Sequence, residues 1–83
     1  MVRPVLQNAF CESLGIEYPI FLAGMGVGGR ATPPKLVAAV SQAGGCGVLG
    51  CSGLSPEETR RRIREVRSLT DRPFGVDLLL PAR

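Results

Sequence analysis

Asp77 is the residue whose surroundings most demand a chemical reason. It is the only charge in Phe74-Gly75-Val76-Asp77-Leu78-Leu79-Leu80. As a strand, this run sends Phe74, Val76, Leu78 and Leu80 to one face and Gly75, Asp77 and Leu79 to the other. A carboxylate buried there without a partner costs on the order of several kcal/mol. A partner drawn from the chain itself, an arginine or a backbone amide, makes Asp77 structural. A polar ligand near the C-terminal end of the strand makes it functional, and Gly75, which removes bulk on the same face, favours that reading.

The second feature with chemical potential is the glycine-rich segment Gly24-Met25-Gly26-Val27-Gly28-Gly29. Gly24, Gly26 and Gly29 satisfy G-x-G-x-x-G, the spacing that sets a pyrophosphate on a helix N-terminus in a small Rossmann-like nucleotide binder. Two details oppose that use. Arg30, Ala31, Thr32 and two prolines separate the glycines from the next helix, and no acidic ribose ligand occurs in Leu49-Gly50-Cys51-Ser52-Gly53. The remaining uses are a tight turn, or a close approach of main chain to the flat face of a cofactor at a strand's C-terminal end. Met25 either contacts such a ring or fills a gap.

Other candidate chemistries are excluded by residue type. The chain has three cysteines, no histidine and no C-x-x-C, so neither a disulfide framework nor a histidine-containing metal site is expected within it. Cys46 reads as a small core residue. Cys51, in a loop after a strand, is a candidate reactive thiol. Cysteine usage fits a reduced, cytoplasmic setting. Arg60, Arg61, Arg62, Arg64 and Arg67 concentrate half the basic charge of a chain with net charge +3, but Glu57, Glu58 and Glu65 interleave with them. With only Phe10, Tyr18, Phe21 and Phe74 as aromatics, no stacking platform accompanies the arginines, so the segment reads as a solvated helix face and nucleic acid is not an expected partner. Residues 36–54 carry no charge, yet five glycines interrupt them, which predicts a buried helix and strand and no membrane span. Met1-Val2-Arg3-Pro4 lacks the apolar region of a secretory signal.

The elements that must position these residues alternate regularly. A short helix is expected within 5–14, a strand over 20–23, and a helix from Thr32 as N-cap, with Pro33 at its first position, to about Ala43. Leu36, Val37, Val40 and Ala43 form its expected apolar face. A second strand covers 46–49. Ser55-Pro56-Glu57-Glu58 is a capping-box start for a helix to about Ser68, with Thr59, Ile63 and Val66 turned inward. A third strand covers 74–80. The β-α-β-α-β order with long crossovers predicts an α/β fold with a parallel sheet. At 83 residues, 45% apolar and 20% charged, residues 1–83 form a single ordered unit, but an incomplete one. Helices on one side leave one face and both edges of the sheet open, which invites self-association or pairing with another chain. The sensible completions are a doubly wound sheet or a (β/α)8 TIM barrel.

Three ordered motifs resemble the nitronate monooxygenase (2-nitropropane dioxygenase) family: Ile16-Glu17-Tyr18-Pro19-Ile20 leading to Ala23-Gly24-Met25, the run from Leu36 through Ala43-Gly44-Gly45-Cys46-Gly47-Val48-Leu49-Gly50, and Arg72-Pro73-Phe74-Gly75-Val76-Asp77. The resemblance implies an FMN-dependent (β/α)8 barrel that oxidises alkyl nitronates with molecular oxygen, and FMN-dependent enoyl-acyl-carrier-protein reductases share its opening motifs. It implies that the main chain of Ala23, Gly24 and Met25 lies against the isoalloxazine ring and that Asp77 hydrogen-bonds the flavin. Gly24 stands where the family often has proline, and Asp77 where it usually has asparagine. An anion there disfavours a negatively charged reduced ring unless Asp77 is protonated or paired. The family's catalytic base is a histidine, which this chain does not contain. The implied reading is an N-terminal three-eighths, inactive by itself, with the phosphate-holding loops beyond it.

Overall fold

The computed structural model describes residues 8–25 and 32–79. Six elements follow in the order α1 (Ala9–Leu14), β1 (Phe21–Leu22), α2 (Pro34–Gln42), β2 (Cys46–Gly50), α3 (Pro56–Leu69) and β3 (Phe74–Asp77). The strands form one parallel sheet in the order β1-β2-β3, with Phe21 opposite Cys46 and Gly47 to Gly50 opposite Phe74 to Asp77. The expected β-α-β-α-β unit is therefore present.

Leu49 sits at the centre of the main core, fully buried with Val37 and Ala38 of α2, Val66 of α3 and Cys51. Ile63, Leu54 and Phe74 pack against this cluster. A separate buried group joins Cys11 and Ile16 to Cys46, which lies on the opposite face of β2 from Leu49. Both α2 and α3 thus cover one face, while Val48, Gly50, Gly75 and Asp77 alternate to the other.

Local signals explain most boundaries. Asn8 caps α1 through Oδ1, which accepts from the Cys11 N–H at 3.0 Å. Ser55 caps α3, its Oγ accepting from the Glu58 N–H at 3.1 Å. The reciprocal half of that capping box does not form, because the Glu58 side chain turns to Arg61 and to Arg62, the latter at 2.8 Å. The Arg61 hydrogen bond leads in holding the Glu58 carboxyl below its ordinary range, with Arg62 adding to it. Arg67 lies 4.8 Å from the Phe74 ring centroid, a cation–π contact that lays the arginine stem along the sheet.

Several boundaries differ from the sequence expectations. Of the helix expected within 5–14, the described part is Ala9–Leu14, and residues 5–7 lie outside the described residues. β1 is shorter than 20–23, although the Ile20 carbonyl still accepts from the Cys46 N–H at 2.9 Å. β3 ends at Asp77, where its carbonyl accepts from Cys51 N–H at 3.1 Å. β2 has stopped at Gly50, so Leu78 and Leu79 have no neighbouring strand to continue against, and Leu80 lies outside the described residues.

The buried side of α2 is also rotated from the expected one: Pro34, Val37, Ala38 and Ser41 are buried, whereas Leu36 and Ala43 are exposed. The reason is close approach. A Cβ on Gly47 would lie 2.3 Å from the Val37 carbonyl oxygen, so helix and strand touch backbone to backbone. At that distance the Ser41 hydroxyl accepts from the Gly47 N–H at 3.0 Å, which makes a polar residue the better inward choice.

The charge-free residues 36–54 divide between α2 and β2 with the intervening turns, and no helix among the described residues is long and apolar enough to cross a membrane.

Candidate active-site floor at the strand ends

The C-terminal ends of the three parallel strands bring together the residues singled out in the sequence. Asp77 is the last residue of β3, Gly50 the last of β2, and the two are register partners. After β1 the chain continues through Ala23 to Gly24 and Met25, and bends over the end of β2. A Cβ on Gly50 would lie 3.4 Å from both the N and the O of Met25 and 3.6 Å from Oδ1 of Asp77. Gly24, Met25, Gly50 and Asp77 therefore lie together as one floor, with Ala23 preceding Gly24 in the chain.

Each member is fixed differently. Asp77 is held by the sheet through its backbone, while its half-buried carboxylate has no hydrogen-bond or ion-pair partner among the described residues. Among the described residues neither internal partner considered from sequence, an arginine or a backbone amide, is engaged. The carboxylate is an acceptor-only group when ionised. Gly24 is half-buried and Met25 is 47% exposed, so the methionine side chain remains accessible at the edge of the floor.

Thr32 was expected to cap α2, but the cap position is Pro33 and no side chain caps that helix. The Thr32 hydroxyl instead accepts from the Met25 N–H at 2.7 Å and donates to the Met25 carbonyl at 3.2 Å. Thr32 is fully buried, and this tie satisfies both backbone groups of Met25 inside the protein, which a helix cap would not do. The consequence for the floor is specific: both main-chain polar groups of Met25 are engaged within the protein. Replacing Thr32 with valine keeps shape and removes both bonds. It is expected to lower unfolding stability by about 2 kcal/mol, with Thr32→Ser losing much less, measured by urea denaturation.

Cys51 does not behave as the reactive thiol considered from sequence. It is 1% exposed and belongs to the main core. Burial pushes its thiol pKa upward and the Asp77 charge adds to that, against a weaker pull from Arg62 and a hydrogen bond with Thr59. Cys46 is likewise pushed up by burial. Among the described residues no group of three or more metal-ligating side chains occurs. Gly26 and Gly29, on which the nucleotide-binding spacing depends, lie outside the described residues. A groove along α3, lined by Leu54, Ile63, Arg60, Arg64 and Leu78 among others, shares no residue with the strand-end floor.

Sequence reasoning missed Thr32's role and Gly50's membership. The signal for Gly50 was its position as the glycine that ends an apolar strand; Thr32 offered none, because its partner lies seven residues back across a loop.

Known proteins resemble this chain in sequence and fold. A "Probable nitronate monooxygenase" from Staphylococcus aureus strain JH9 is 40% identical over 77 residues, covering 93% of this chain and 21% of the relative, and the same protein from strain Newman matches equally. The chain thus spans about a fifth of the length of these relatives. Among solved structures, a mutant of FabK from Thermotoga maritima superposes with a TM-score of 0.82 at 41% identity, over 92% of this chain and 25% of FabK. FabK itself gives 0.78 at 42% identity, over 87% and 22%. The three-stranded unit corresponds to the first part of that (β/α)8 barrel. With the Nitronate monooxygenase family model matching residues 7–83, the chain belongs to the nitronate monooxygenase family.

Proposed function

We propose that these residues are the N-terminal part of an FMN-dependent oxidoreductase that oxidises alkyl nitronates with molecular oxygen, and that Ala23, Gly24, Met25 and Asp77 contact the cofactor. The observation that carries this reading is the floor itself. The Met25 main chain, with its polar groups already satisfied, suits a flat ring, and an acceptor at Asp77 with no partner among the described residues suits an N–H on that ring's edge. Family membership and the likeness to FabK support the same site at the strand ends. FMN, when bound, supplies the electron-transfer chemistry. The chain's own residues orient it: Thr32 holds the Met25 backbone, the β2–β3 ladder holds Asp77, and Gly50 lies between them.

The 83 residues contain no histidine, so they do not supply the base that the family resemblance implies, and the chain alone is inactive on this reading. Size-exclusion chromatography with FMN supplied, read at protein and flavin wavelengths, tests the cofactor assignment. With the phosphate-holding loops beyond these residues, weak flavin retention by the folded protein is expected, and Asp77→Ala is expected to lower it. Retention unchanged by Asp77→Ala would overturn the assignment, and nitronate turnover by the chain alone would overturn its inactivity.

A second reading is favoured by Ile20, Val76, Leu78 and Leu79, all exposed at strands or their ends. Here the unit is an assembly module whose open β1 and β3 edges pair with another chain to complete a barrel.

A further inference from the structure

We propose that Gly24 is a positioning residue that acts through Asp77: the absence of a side chain at position 24 decides where the Asp77 carboxylate points. The geometry rests on three distances. A Cβ at Gly24 would lie 2.2 Å from Oδ2 of Asp77, 2.7 Å from Cγ and 2.9 Å from Oδ1. The whole carboxylate, not one oxygen, occupies the space a side chain would need. β1 and β3 are not neighbours in the sheet, since β2 lies between them. The contact exists because residues 24 and 25 bend over Gly50, where a Cβ would lie 3.4 Å from the N and O of Met25.

What makes this a device for positioning is the lack of any competing restraint. The carboxylate accepts no hydrogen bond and forms no ion pair among the described residues. Among the described residues its direction is therefore set by packing, and the packing partner is a glycine. Any residue with a Cβ at position 24 meets the end of a short side chain that turns about χ1 more easily than the backbone shifts, so the expected response is a redirected Asp77 within an intact fold. Position 24 thereby chooses which donor on a bound ring the acceptor can reach. That last step rests on the proposed FMN site; the steric pairing does not.

The test is a double-mutant cycle on the 83-residue chain with Gly24→Ala, Asp77→Ala and the double variant, read in two ways. In the 13C-labelled chain without ligand, the Asp77 carboxyl resonance is expected to move in Gly24→Ala while those of Glu57 and Glu65 on α3 stay. In FMN titrations followed by flavin fluorescence, Gly24→Ala is expected to weaken binding about tenfold when residue 77 is aspartate and less than about twofold when it is alanine. An unmoved Asp77 resonance, or equal weakening in both backgrounds, overturns the proposal. If the parent chain binds no FMN, the carboxyl resonance alone decides the pairing. If Gly24→Ala does not fold, recovery of folding in the double variant supports the proposal and its failure overturns it.

Discussion

Gly47→Ala is expected to abolish the cooperative unfolding transition of this chain, or to shift its urea midpoint strongly downward. The added methyl would lie 2.3 Å from the Val37 carbonyl oxygen and 2.9 Å from the Val37 carbonyl carbon and Cα. These are backbone atoms of α2, so no side-chain rotation relieves the contact and the helix must lift from the sheet. Lifting it also lengthens the Ser41–Gly47 hydrogen bond and separates Val37 from Leu49. Two opposing terms set the sign. Gly→Ala at a compatible backbone angle stabilises by about 0.4–1 kcal/mol through the unfolded chain. Overpacking against rigid backbone costs about 1–3 kcal/mol or more, and it is the larger. In a unit this small, with stability on the order of 0.05–0.15 kcal/mol per residue, that difference is a large share of the total. An unchanged midpoint would mean that α2 does not rest on β2 at Gly47.

Leu49→Ala is expected to be at least as destabilising, at about 2–5 kcal/mol. Leu49 is 0% exposed and touches both helices' contributions to the core, so truncation leaves a cavity between α2 and α3 that neither can close without leaving the sheet. The control is Leu79→Ala. Leu79 is 76% exposed, and its truncation is expected to change stability by less than about 0.5 kcal/mol. Urea denaturation of both variants checks the contrast; equal losses would place the core elsewhere.

The order of elements and the sense of the sheet were legible because hydrophobic rhythm and helix punctuation act locally. Ser55-Pro56-Glu57-Glu58 predicts a start for α3, and Ser55 caps it as expected. α2 was read with the wrong cap and a partly right face, since Val37 is buried and Val40 half-buried as expected while Leu36 and Ala43 are exposed. A threonine before two prolines offers the same local pattern whether its hydroxyl turns to the helix or to Met25, and burial decided for Met25. Likewise Leu36 is the better apolar residue, but the backbone contact at Gly47 drew in Ser41 instead. Asp77 stood out by its apolar neighbours, and Gly24 by its place in the glycine run. Their contact was illegible, because it depends on how far the chain after β1 bends across β2, and tertiary geometry alone determines that.

All three cysteines are buried, Cys11 and Cys46 beneath one face of the sheet and Cys51 beneath the other. The molecule thus carries natural sensors on both sides of one strand. A bulky thiol reagent reaches Cys11 and Cys46 only when α1 and the chain before β1 come away, and Cys51 only when the helical layer does. Peptide mapping of the modified thiols would then time the two openings separately, with no label engineered into the chain.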